Sequence, residues 1–454
     1  MSDRQRNGFI LLLVLGLIIA SLVVIAGVPG AVKSKKTVLG LDLKGGVQLV
    51  YEGQPTPQTP KVTSDAIARA VDIMRSRVDQ LGVAEPQIST YGNNEISVGL
   101  PDVSDTARAE QEVGTVAQLA FYDWEKNVLT PNGKSVESQL QSQDPTALTI
   151  SQGSGSANPG EPGAGSMGLY QAVQLASKQT EWSSPSNSRL GPEYWMFGAP
   201  GSAACTAAAK HYGTVPVAGQ HCYLSGPDTN TTDLQSGLPP GVSASEGQTL
   251  TIPRGWVVLQ AISTQGYTKQ LPVSDPNAQF FVLKDDITLR GSDVNNPQQS
   301  NDSQTGAPDV TFGFSGKGKN AFQNVTAQIA RRGSLVSGLG QSLNQHFAVA
   351  LDNQLITVPQ IDYKQFPDGI NGDNGADITG GFTITSAQDL ANELRLGALP
   401  IKLKLISESQ VSATLGKQAL HAGLVAGLVG LLVVAIFMIA YYRVLGLIAV
   451  RPLR

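Results

Sequence analysis

One stretch of the sequence has the spacing of a phosphate-binding loop. Four residues separate Gly313 from Gly318, Lys319 follows, and the segment lies between an extended run and a helical pattern. A P-loop uses this arrangement to hold phosphate, but it needs a Ser or Thr hydroxyl at the next position to bind Mg²⁺. The next residue here is Asn320. We therefore predict a Gly/Lys turn into a helix and no nucleotide site.

The histidines and cysteines form no catalytic or metal-binding motif. The four histidines show no HExxH or other metal-ligand spacing, and no GxSxG nucleophile elbow occurs. We therefore predict no enzymatic activity, no catalytic residue, no metal and no cofactor. Cys205 and Cys222 can pair outside the cytoplasm, where a disulfide closing a loop of about 17 residues contributes roughly 3 kcal/mol. The prediction is a Cys205–Cys222 disulfide, and the alternative is two unpaired thiols.

The overall charge argues against a protein that grips nucleic acid. The 454 residues carry 32 Lys and Arg against 36 Asp and Glu, a formal net charge of −4, whereas binding phosphates needs a large basic surface. Charged residues make up 15% of the chain, below the roughly 25% of an average protein. Two charge-free runs cause much of this shortage, so we expect membrane lipid and not nucleic acid as a partner.

These two runs, residues 9–28 and 422–442, are long enough to cross a membrane. About 20 residues at 1.5 Å each match a hydrocarbon core of ~30 Å. The alternative for the first run is a cleaved signal peptide, whose apolar core should be shorter. Within the second run, Gly423 and Gly427 have the GxxxG spacing that lets another helix approach closely. The alternative there is that glycine is simply common in membrane helices.

Two spans would place both termini on the same side of the membrane. The short flank after the second run carries three arginines, which favours a cytoplasmic C-terminus. We therefore expect residues 1–8 and 443–454 in the cytoplasm and residues 29–421 outside it. The expected location is the plasma membrane, with the chain crossing it more than once.

Residues 38–130 have the pattern of one small α+β unit. A short strand is followed by a helix whose apolar positions repeat every three or four residues, then by a hairpin with a Gly92-Asn93-Asn94 turn. A second helix to about Val116 and an alternating strand at 117–124 complete a βαββαβ order. This order is typical of a ferredoxin-like fold.

The rest of the region between the spans divides into three parts. Residues 131–250 are rich in Gly, Ser and Pro and include a low-complexity stretch at 151–168, so we predict a flexible, solvent-exposed insertion. Residues 255–376 read as a second α+β unit with a strand, a helix and a hairpin. Residues 377–415 contain a capped helix and an extended run that leads towards the second span.

The most distinctive stretch is Gly40-Leu41-Asp42-Leu43-Lys44-Gly45-Gly46, whose paired glycines allow positive φ or a close backbone approach. It closely resembles the signature that follows the first span in the SecD family of translocase subunits, which belongs to the RND superfamily. Three later segments also resemble motifs of that family. Their matching residues are Leu351, Asp352 and Pro359; Thr379, Gly380 and Phe382; and Leu394, Gly397, Ala398, Leu399 and Pro400. The resemblance gives these residues structural or coupling roles.

The resemblance implies a membrane α+β protein whose two transmembrane helices flank a large extracytoplasmic region. In that region, residues 38–130 and 377–415 would form a ferredoxin-like base and residues 255–376 a smaller α+β head. The insertion at 131–250 has no counterpart in the short family pattern, and such inserts suit actinobacterial members. The implied function is accessory: the protein works with SecF beside the SecYEG channel, binds the emerging unfolded preprotein, and draws on the proton gradient.

The chain departs from the family in one respect. The family has six spans and carries its proton-relay acid in the fourth, whereas neither apolar run here contains an Asp, Glu, Lys or Arg. We therefore expect that this polypeptide alone cannot conduct protons, and that it is a truncated or split product. Two other functions remain open: a fragment of an RND-type proton-driven exporter, and an anchored extracellular enzyme. The motifs at 39–46 and 397–400 favour the SecD family, and the lack of a catalytic constellation disfavours the enzyme.

Overall fold

The computed structural model describes most of the chain between the two apolar runs. The described residues are 41, 45–55, 61–80, 86–92, 94–101, 103, 113–114, 116–153, 158–184, 191–263, 270–303, 305–337, 343–411, 418, 421–434, 436–437 and 440. The predicted first span (9–28), the two predicted cytoplasmic ends and the motif residues Gly40, Asp42 and Leu43 lie outside them.

The described residues form a mixed α/β structure. The strands, in chain order, are β1 (Gly46–Gln54), β2 (Gln87–Tyr91), β3 (Glu95–Pro101), β4 (Leu119–Asp123), β5 (Met167–Gly168), β6 (Glu193–Gly198), β7 (Cys222–Asp228), β8 (Gly247–Ile252), β9 (Trp256–Gln260), β10 (Gln279–Lys284), β11 (Leu289–Arg290), β12 (Val294–Asn301), β13 (Pro308–Phe314), β14 (Gln345–Leu351), β15 (Gln354–Thr357), β16 (Gln360–Ile361), β17 (Ala376–Ile378) and β18 (Lys402–Val411). The helices are α1 (Ser64–Gln80), α2 (Trp124–Asn127), α3 (Val136–Leu140), α4 (Pro145–Gln152), α5 (Leu169–Ser177), α6 (Ala203–Tyr212), α7 (Thr231–Ser236), α8 (Gly316–Ser337) and α9 (Ile384–Leu396).

The base is a four-stranded antiparallel sheet with α1 against it. Its strand order is β18-β1-β3-β2, and strands and helix share one apolar core. The helical face predicted from the sequence is the face that is buried; its core residues are Ile67, Val71, Met74 and Val78. The hairpin predicted around residues 92–94 is the β2–β3 connection. The apolar spacing and the turn residues in the sequence therefore predict the buried face of α1 and the β2–β3 hairpin correctly.

The fourth strand of the base differs from the expectation. The sequence predicts that residues 117–124 complete the βαββαβ unit, but β4 pairs with β14 in another sheet. The base is instead completed by β18, which pairs with β1 from Gly46↔Val411 to Gln54↔Lys402. Alternation of apolar and polar residues predicts that a segment is a strand, but it does not predict which strand it pairs with. In the structure, β18 pairs with β1 along its whole length.

The head is built on a larger sheet with the order β11-β4-β14-β15-β9-β10-β5, and β16 pairs with β14. A three-stranded sheet, β12-β13-β17, and the helices α8 and α9 complete one apolar core with it. The expectation that residues 377–415 belong to the base is therefore wrong for residues 377–396, whose apolar side chains pack in the head; from this segment the base receives β18 and the buried Leu399 and Ile401 that precede it. The face predicted for α8 lies in this core; its residues are Phe322, Val325 and Ile329. The GxxxxGK stretch is the turn from β13 into α8, where Lys319 Nζ forms a 2.9 Å ion pair with Asp373 Oδ1.

Residues 131–250 also differ from the expectation, because the described part of this insertion is folded. It contains α3 to α7 and β5 to β8, with a three-stranded sheet in the order β7-β6-β8. The apolar side chains are spaced for short elements, so no long period shows in the sequence. Trp195 and Phe197 of β6 lie in a core with Val173 and Ala176 of α5. Small residues favour loops on average, but here they also allow helices and strands to pack closely.

A disulfide joins Cys205 of α6 to Cys222 of β7, with the Cα atoms 5.6 Å apart. This is the pairing expected from the sequence. Replacing both cysteines with serine should lower the free energy of unfolding by about 3 kcal/mol, because the 17-residue loop gains freedom in the unfolded chain. Urea unfolding of the double variant and of the oxidised parent measures this difference. Equal midpoints would show that the crosslink does not stabilise the insertion.

The predicted second span is described only in part. Residues 421–434 are helical and include Gly423 and Gly427. Among the described residues, no helix combines the length and the apolar character that crossing a membrane requires.

Candidate functional site

In the described part of the chain, two segments lead between the base and the head, and they run side by side. Residues 116–118 lead into β4, and residues 397–401 lead from α9 back to β18. The Leu399 N–H donates to the Val116 carbonyl at 2.8 Å, and the Leu399 side chain is buried. We call residues 116–118 and 397–401 the neck.

The β14–β15 turn of the head is fastened to the neck by Asp352. One carboxylate oxygen, Oδ2, accepts from the Ala117 N–H at 2.9 Å, and Oδ1 accepts from the Gln118 N–H at 2.8 Å. Asp352 and Asn353 have φ values of 48° and 65°, a left-handed conformation that Asp and Asn tolerate best among non-glycine residues. Burial raises the pKa of Asp352, although the two N–H groups favour the ionised form. One side chain therefore satisfies two backbone donors of the neck.

The end of α9 ties the neck to the base. Gly397 ends this helix with a φ of 82°, and its carbonyl accepts from Nη2 of the buried Arg77 of α1 at 3.3 Å. Leu394 lies in the head core, Ala398 is exposed and Pro400 is half-buried. Of the predicted motif residues, Asp352, Gly397 and Leu399 thus meet at the neck, with Leu351 buried beside them.

The glycine pair near the N-terminus lies elsewhere. Gly46 begins β1 with a φ of 145°, and a Cβ atom there would lie 2.1 Å from the Leu100 carbonyl oxygen. The Gly45 N–H donates to the carbonyl of the buried Leu41 at 2.8 Å. The other end of β1 pairs with Lys402 beside the neck, roughly 26 Å away at about 3.3 Å per residue. These glycines therefore permit close packing at the far end of the base.

A third group of motif residues precedes α9. Phe382 lies in the head core, and the Pro359 carbonyl accepts from the Phe347 N–H at 3.0 Å. The exposed Thr379 and the half-buried Gly380 line a surface cavity of about 630 Å³. These residues lie on the segments of the head that precede α9 or contact β14.

A cleft of about 510 Å³ opens where the neck, the head sheet and the insertion meet. We call it the junction cleft. Its apolar walls come from all three parts and include Leu119, Trp195, Ile252, Val257, Phe280 and Leu403. Its charged side chains are Glu193, Asp228, Asp285, Asp352, Arg290 and Lys402. A mainly apolar wall with a few polar groups is typical of a binding site.

The carboxylates of the junction cleft bind protons more readily than usual. Burial and the nearby Asp285 carboxylate raise the pKa of Glu193 from 4.5 to about 7. Burial also raises the pKa of Asp285, which accepts from the Tyr122 hydroxyl at 3.0 Å. Burial raises the pKa of Asp228 as well, and Lys402 partly offsets this. The cleft is therefore acidic, and its charge changes near neutral pH.

Glu193 predicts a pH-dependent stability. Because its pKa is higher in the folded chain than in the unfolded chain, the folded chain alone holds a proton there between pH 4.5 and about 7. The free energy of unfolding should fall as the pH rises through this window. Glu193→Gln should flatten that slope in urea unfolding at several pH values. The exposed Glu181→Gln is the matched control, and an unchanged slope in Glu193→Gln would contradict the assignment.

Sequence reasoning missed a buried charge network between the head and the start of the insertion. Arg332 of α8 is 13% exposed and forms a bidentate pair with Asp123. The fully buried Glu125 accepts from the His346 N–H at 2.9 Å, pairs with His346 Nδ1 at 2.7 Å and accepts from the Ser151 hydroxyl at 2.9 Å. Burial opposes ionisation of Glu125, but His346 and Arg332 outweigh it and lower its pKa. In the sequence, the only indication of this network is that Asp123 and Glu125 lie at the end of an apolar strand and just after it.

Two family models match parts of the chain. "Protein translocase subunit SecDF, P1 domain, N-terminal" matches residues 67–126, and "SecDF, P1 head subdomain" matches residues 267–401. The first range runs from within α1 through β2, β3 and β4 into α2, and the second runs from before β10 to the neck.

Curated relatives match over most of the chain, and each is named protein translocase subunit SecD. The Synechocystis protein is 28% identical over 98% of this chain and 68% of its own length. The Elusimicrobium minutum protein is 25% identical over 90% and 61%, and the Streptomyces coelicolor protein is 28% identical over 91% and 68%. The chain thus spans roughly two thirds or less of the length of these relatives.

Solved structures of SecDF are also similar to the chain. The SecDF crystal structure in its super-membrane-facing form gives a TM-score of 0.40 at 21% identity, over 96% of this chain and 39% of that one. A structure described as a membrane component, SecDF, that enhances protein export gives 0.36 at 19% identity, over 79% and 98%. The two family models and the curated relatives thus agree in what they match: the chain is similar to SecD protein translocase subunits and to the P1 domains of SecDF.

Proposed function

We propose that this chain is an accessory subunit that binds unfolded preproteins outside the membrane as they leave the SecYEG channel. It works with SecF, and the export that it assists draws on the proton-motive force. The observation that carries the proposal is the junction cleft, an open apolar cleft at the narrow neck between the base and the head. No enzymatic step is part of the proposal.

The walls of the junction cleft suit an unfolded chain. The half-buried Trp256, Val273 and Ile287 offer apolar surface to side chains that a folded protein would bury. The carboxylates of Glu193, Asp228 and Asp285 add an acidic wall, which favours segments that also carry lysine or arginine. Such a surface recognises composition and not one sequence, as a subunit that assists many different preproteins requires.

The neck gives the head a means of changing its position. In the described part of the chain, two short segments connect the base and the head, and Asp352 fastens the head turn to one of them through two hydrogen bonds. Loss of these bonds would let the head pivot, and the junction cleft, which both parts line, would change shape. A binding site that opens and closes in this way can hold a chain and then release it.

The membrane topology is part of the same proposal. Residues 9–28 and 422–442 cross the plasma membrane, and residues 29–421 lie outside the cytoplasm. Support comes from the described helix at 421–434, which carries no Asp, Glu, Lys or Arg and exposes Leu428 and Leu431 by 67% and 74%. Proton coupling is assigned to SecF and to other spans of the assembly, because these two runs contain no Asp, Glu, Lys or Arg.

Depletion of the chain in its host tests this function. In pulse-labelled cells, unprocessed preprotein should accumulate after depletion, and a protonophore should abolish the difference between depleted and undepleted cells. Efflux of small toxic compounds is measured in the same cells as the control. Normal preprotein processing combined with reduced efflux would reject the proposal in favour of an RND-type exporter.

A further inference from the structure

Three aspartates from separate segments meet at one edge of the head. Asp302 lies in the loop between β12 and β13, Asp309 lies in β13 and Asp377 lies in β17. One carboxylate oxygen from each lies within 4.8 Å of the others. We call these three residues the aspartate triad.

The sheet register explains why the triad converges. Thr311 of β13 pairs with Asp377, so Asp309, two residues away, is the diagonal neighbour of Asp377 on the same face. The β12–β13 loop closes on itself: the Asp302 N–H donates to the Ala307 carbonyl at 2.8 Å, and the Gly306 N–H donates to the Asp302 carbonyl at 2.8 Å. In the same loop, Asp302 Oδ1 accepts from the Thr305 N–H at 2.6 Å and from the Thr305 hydroxyl at 2.7 Å. Strand pairing and this turn together therefore hold the three carboxylates close to one another.

Asp309 lies in an unusual environment for a carboxylate. Its side chain is only 3% exposed, and within the described part of the chain no hydrogen-bond donor reaches its Oδ1 atom. No lysine or arginine of the described residues forms an ion pair with it. A buried oxygen without a partner costs free energy. Burial and the carboxylates of Asp377 and Asp302 also raise the pKa of Asp309.

We propose that the aspartate triad binds one calcium ion. Calcium takes roughly six to eight oxygen ligands and accepts several carboxylates, whereas magnesium is usually bound by one or two carboxylates and keeps several waters. Three carboxylates whose oxygens lie within 4.8 Å of one another therefore suit calcium better than magnesium. Asp309 supplies the buried ligand, while Asp302 and the exposed Asp377 close the site from the solvent side.

The ion would stabilise the segment of the head that leads through α9 to the neck. Asp377 lies two residues before Thr379, and this segment leads directly into α9. Calcium would fix β17 to the β12–β13 hairpin and so stabilise the head where the chain leaves it. This role is independent of preprotein binding.

Calorimetric titration of the detergent-purified full chain tests the site after chelator treatment and buffer exchange. Calcium chloride should show one saturable site per chain, and the same calcium concentration should raise the melting temperature. Asp309→Asn and Asp377→Asn should each weaken calcium binding by at least roughly tenfold, since even residues behind the ligands alter metal affinity by that much. The matched control is Asp368→Asn, an exposed acid of the head outside the triad.

Several results would overturn the calcium site. One is the absence of saturable calcium binding by the parent chain. Another is parental affinity in Asp377→Asn, which alters an exposed side chain and should fold normally even if Asp309→Asn does not. Equal affinity for magnesium chloride would reject the assignment to calcium.

Discussion

Arg332→Ala should lower the free energy of unfolding by about 3–5 kcal/mol, the usual cost of removing one partner from a buried ion pair. Asp123 and Glu125 are both buried and lie beside the Arg332 guanidinium. Without it, Asp123, Glu125 and the nearby Glu137 of α3 would lose the cation that they share. Glu125 would keep its contacts with His346 and Ser151, and Asp123 would keep the Lys126 N–H. Burial already raises the pKa of Asp123 despite the arginine, so removing the positive charge should leave a costly buried acid.

Urea unfolding of Arg332→Ala measures this cost, and the chain provides its own control. Arg331 is the neighbouring arginine on α8, but its side chain is exposed, so Arg331→Ala should change the free energy of unfolding by less than about 0.5 kcal/mol. Arg332→Lys keeps the charge but loses the bidentate geometry and should fall between the two. If Arg332→Ala and Arg331→Ala unfold at the same urea concentration, the network does not hold the head to the insertion.

Asp352→Ala should loosen the neck and lower the free energy of unfolding by about 2–6 kcal/mol, because two backbone N–H groups lose their acceptor at about 1–3 kcal/mol each. Amide hydrogen exchange is the more specific measurement. The amides of Ala117 and Gln118 should exchange faster by roughly tenfold or more, which corresponds to about 1.4 kcal/mol of lost protection. Amides in the middle of β1 should keep their rates.

Alanine at this position also strains the backbone, so a matched variant is needed. Asn353 is next in the turn, has a φ of 65° and exposes its side chain. Asn353→Ala therefore introduces a similar strain of about 1–2 kcal/mol without removing the hydrogen-bond acceptor of the neck amides. If exchange at residues 117–118 accelerates in both variants, then backbone strain in the turn, and not loss of the Asp352 carboxylate, causes the faster exchange of the neck amides.

Elements with a local signal could be predicted from the sequence. The apolar spacing of α1, the Gly92-Asn93-Asn94 turn and the face of α8 around Phe322 each depend on residues within a few turns of each other. The structure has these elements with the predicted faces buried. The GxxxxGK segment was also interpretable, because the missing hydroxyl at Asn320 is a local fact.

Features that depend on distant partners could not be predicted in this way. The strand at 117–124 was recognised, but its pairing with β14 joins residues more than 200 positions apart. Arg332 and Asp123 are separated by 209 positions, and Asp377 of the aspartate triad comes from a strand far along the chain from Asp309. The fold of the insertion was not predicted, because its elements are too short to show an apolar period. Its high content of Gly, Ser and Pro therefore predicted a flexible segment instead.

The family resemblance pointed to motif residues without explaining their roles. It did not distinguish the roles of Gly46, Asp352 and Gly397. The geometry separates a glycine required by packing at the far end of the base from an aspartate that caps the neck and a glycine that ends α9 beside Arg77. The second and third are therefore the positions from which to alter the movement of the head.

Site-specific photocross-linking in the junction cleft tests preprotein binding most directly. A photoreactive residue is placed at Ile287 or Thr229, which line the junction cleft, and at the exposed Lys178, which lies outside it. A preprotein arrested in the SecYEG channel should cross-link at Ile287 and Thr229 but not at Lys178, and blocking entry into the channel should abolish the products. Equal capture at all three positions, or capture that persists when entry is blocked, would contradict binding of the emerging chain in the junction cleft.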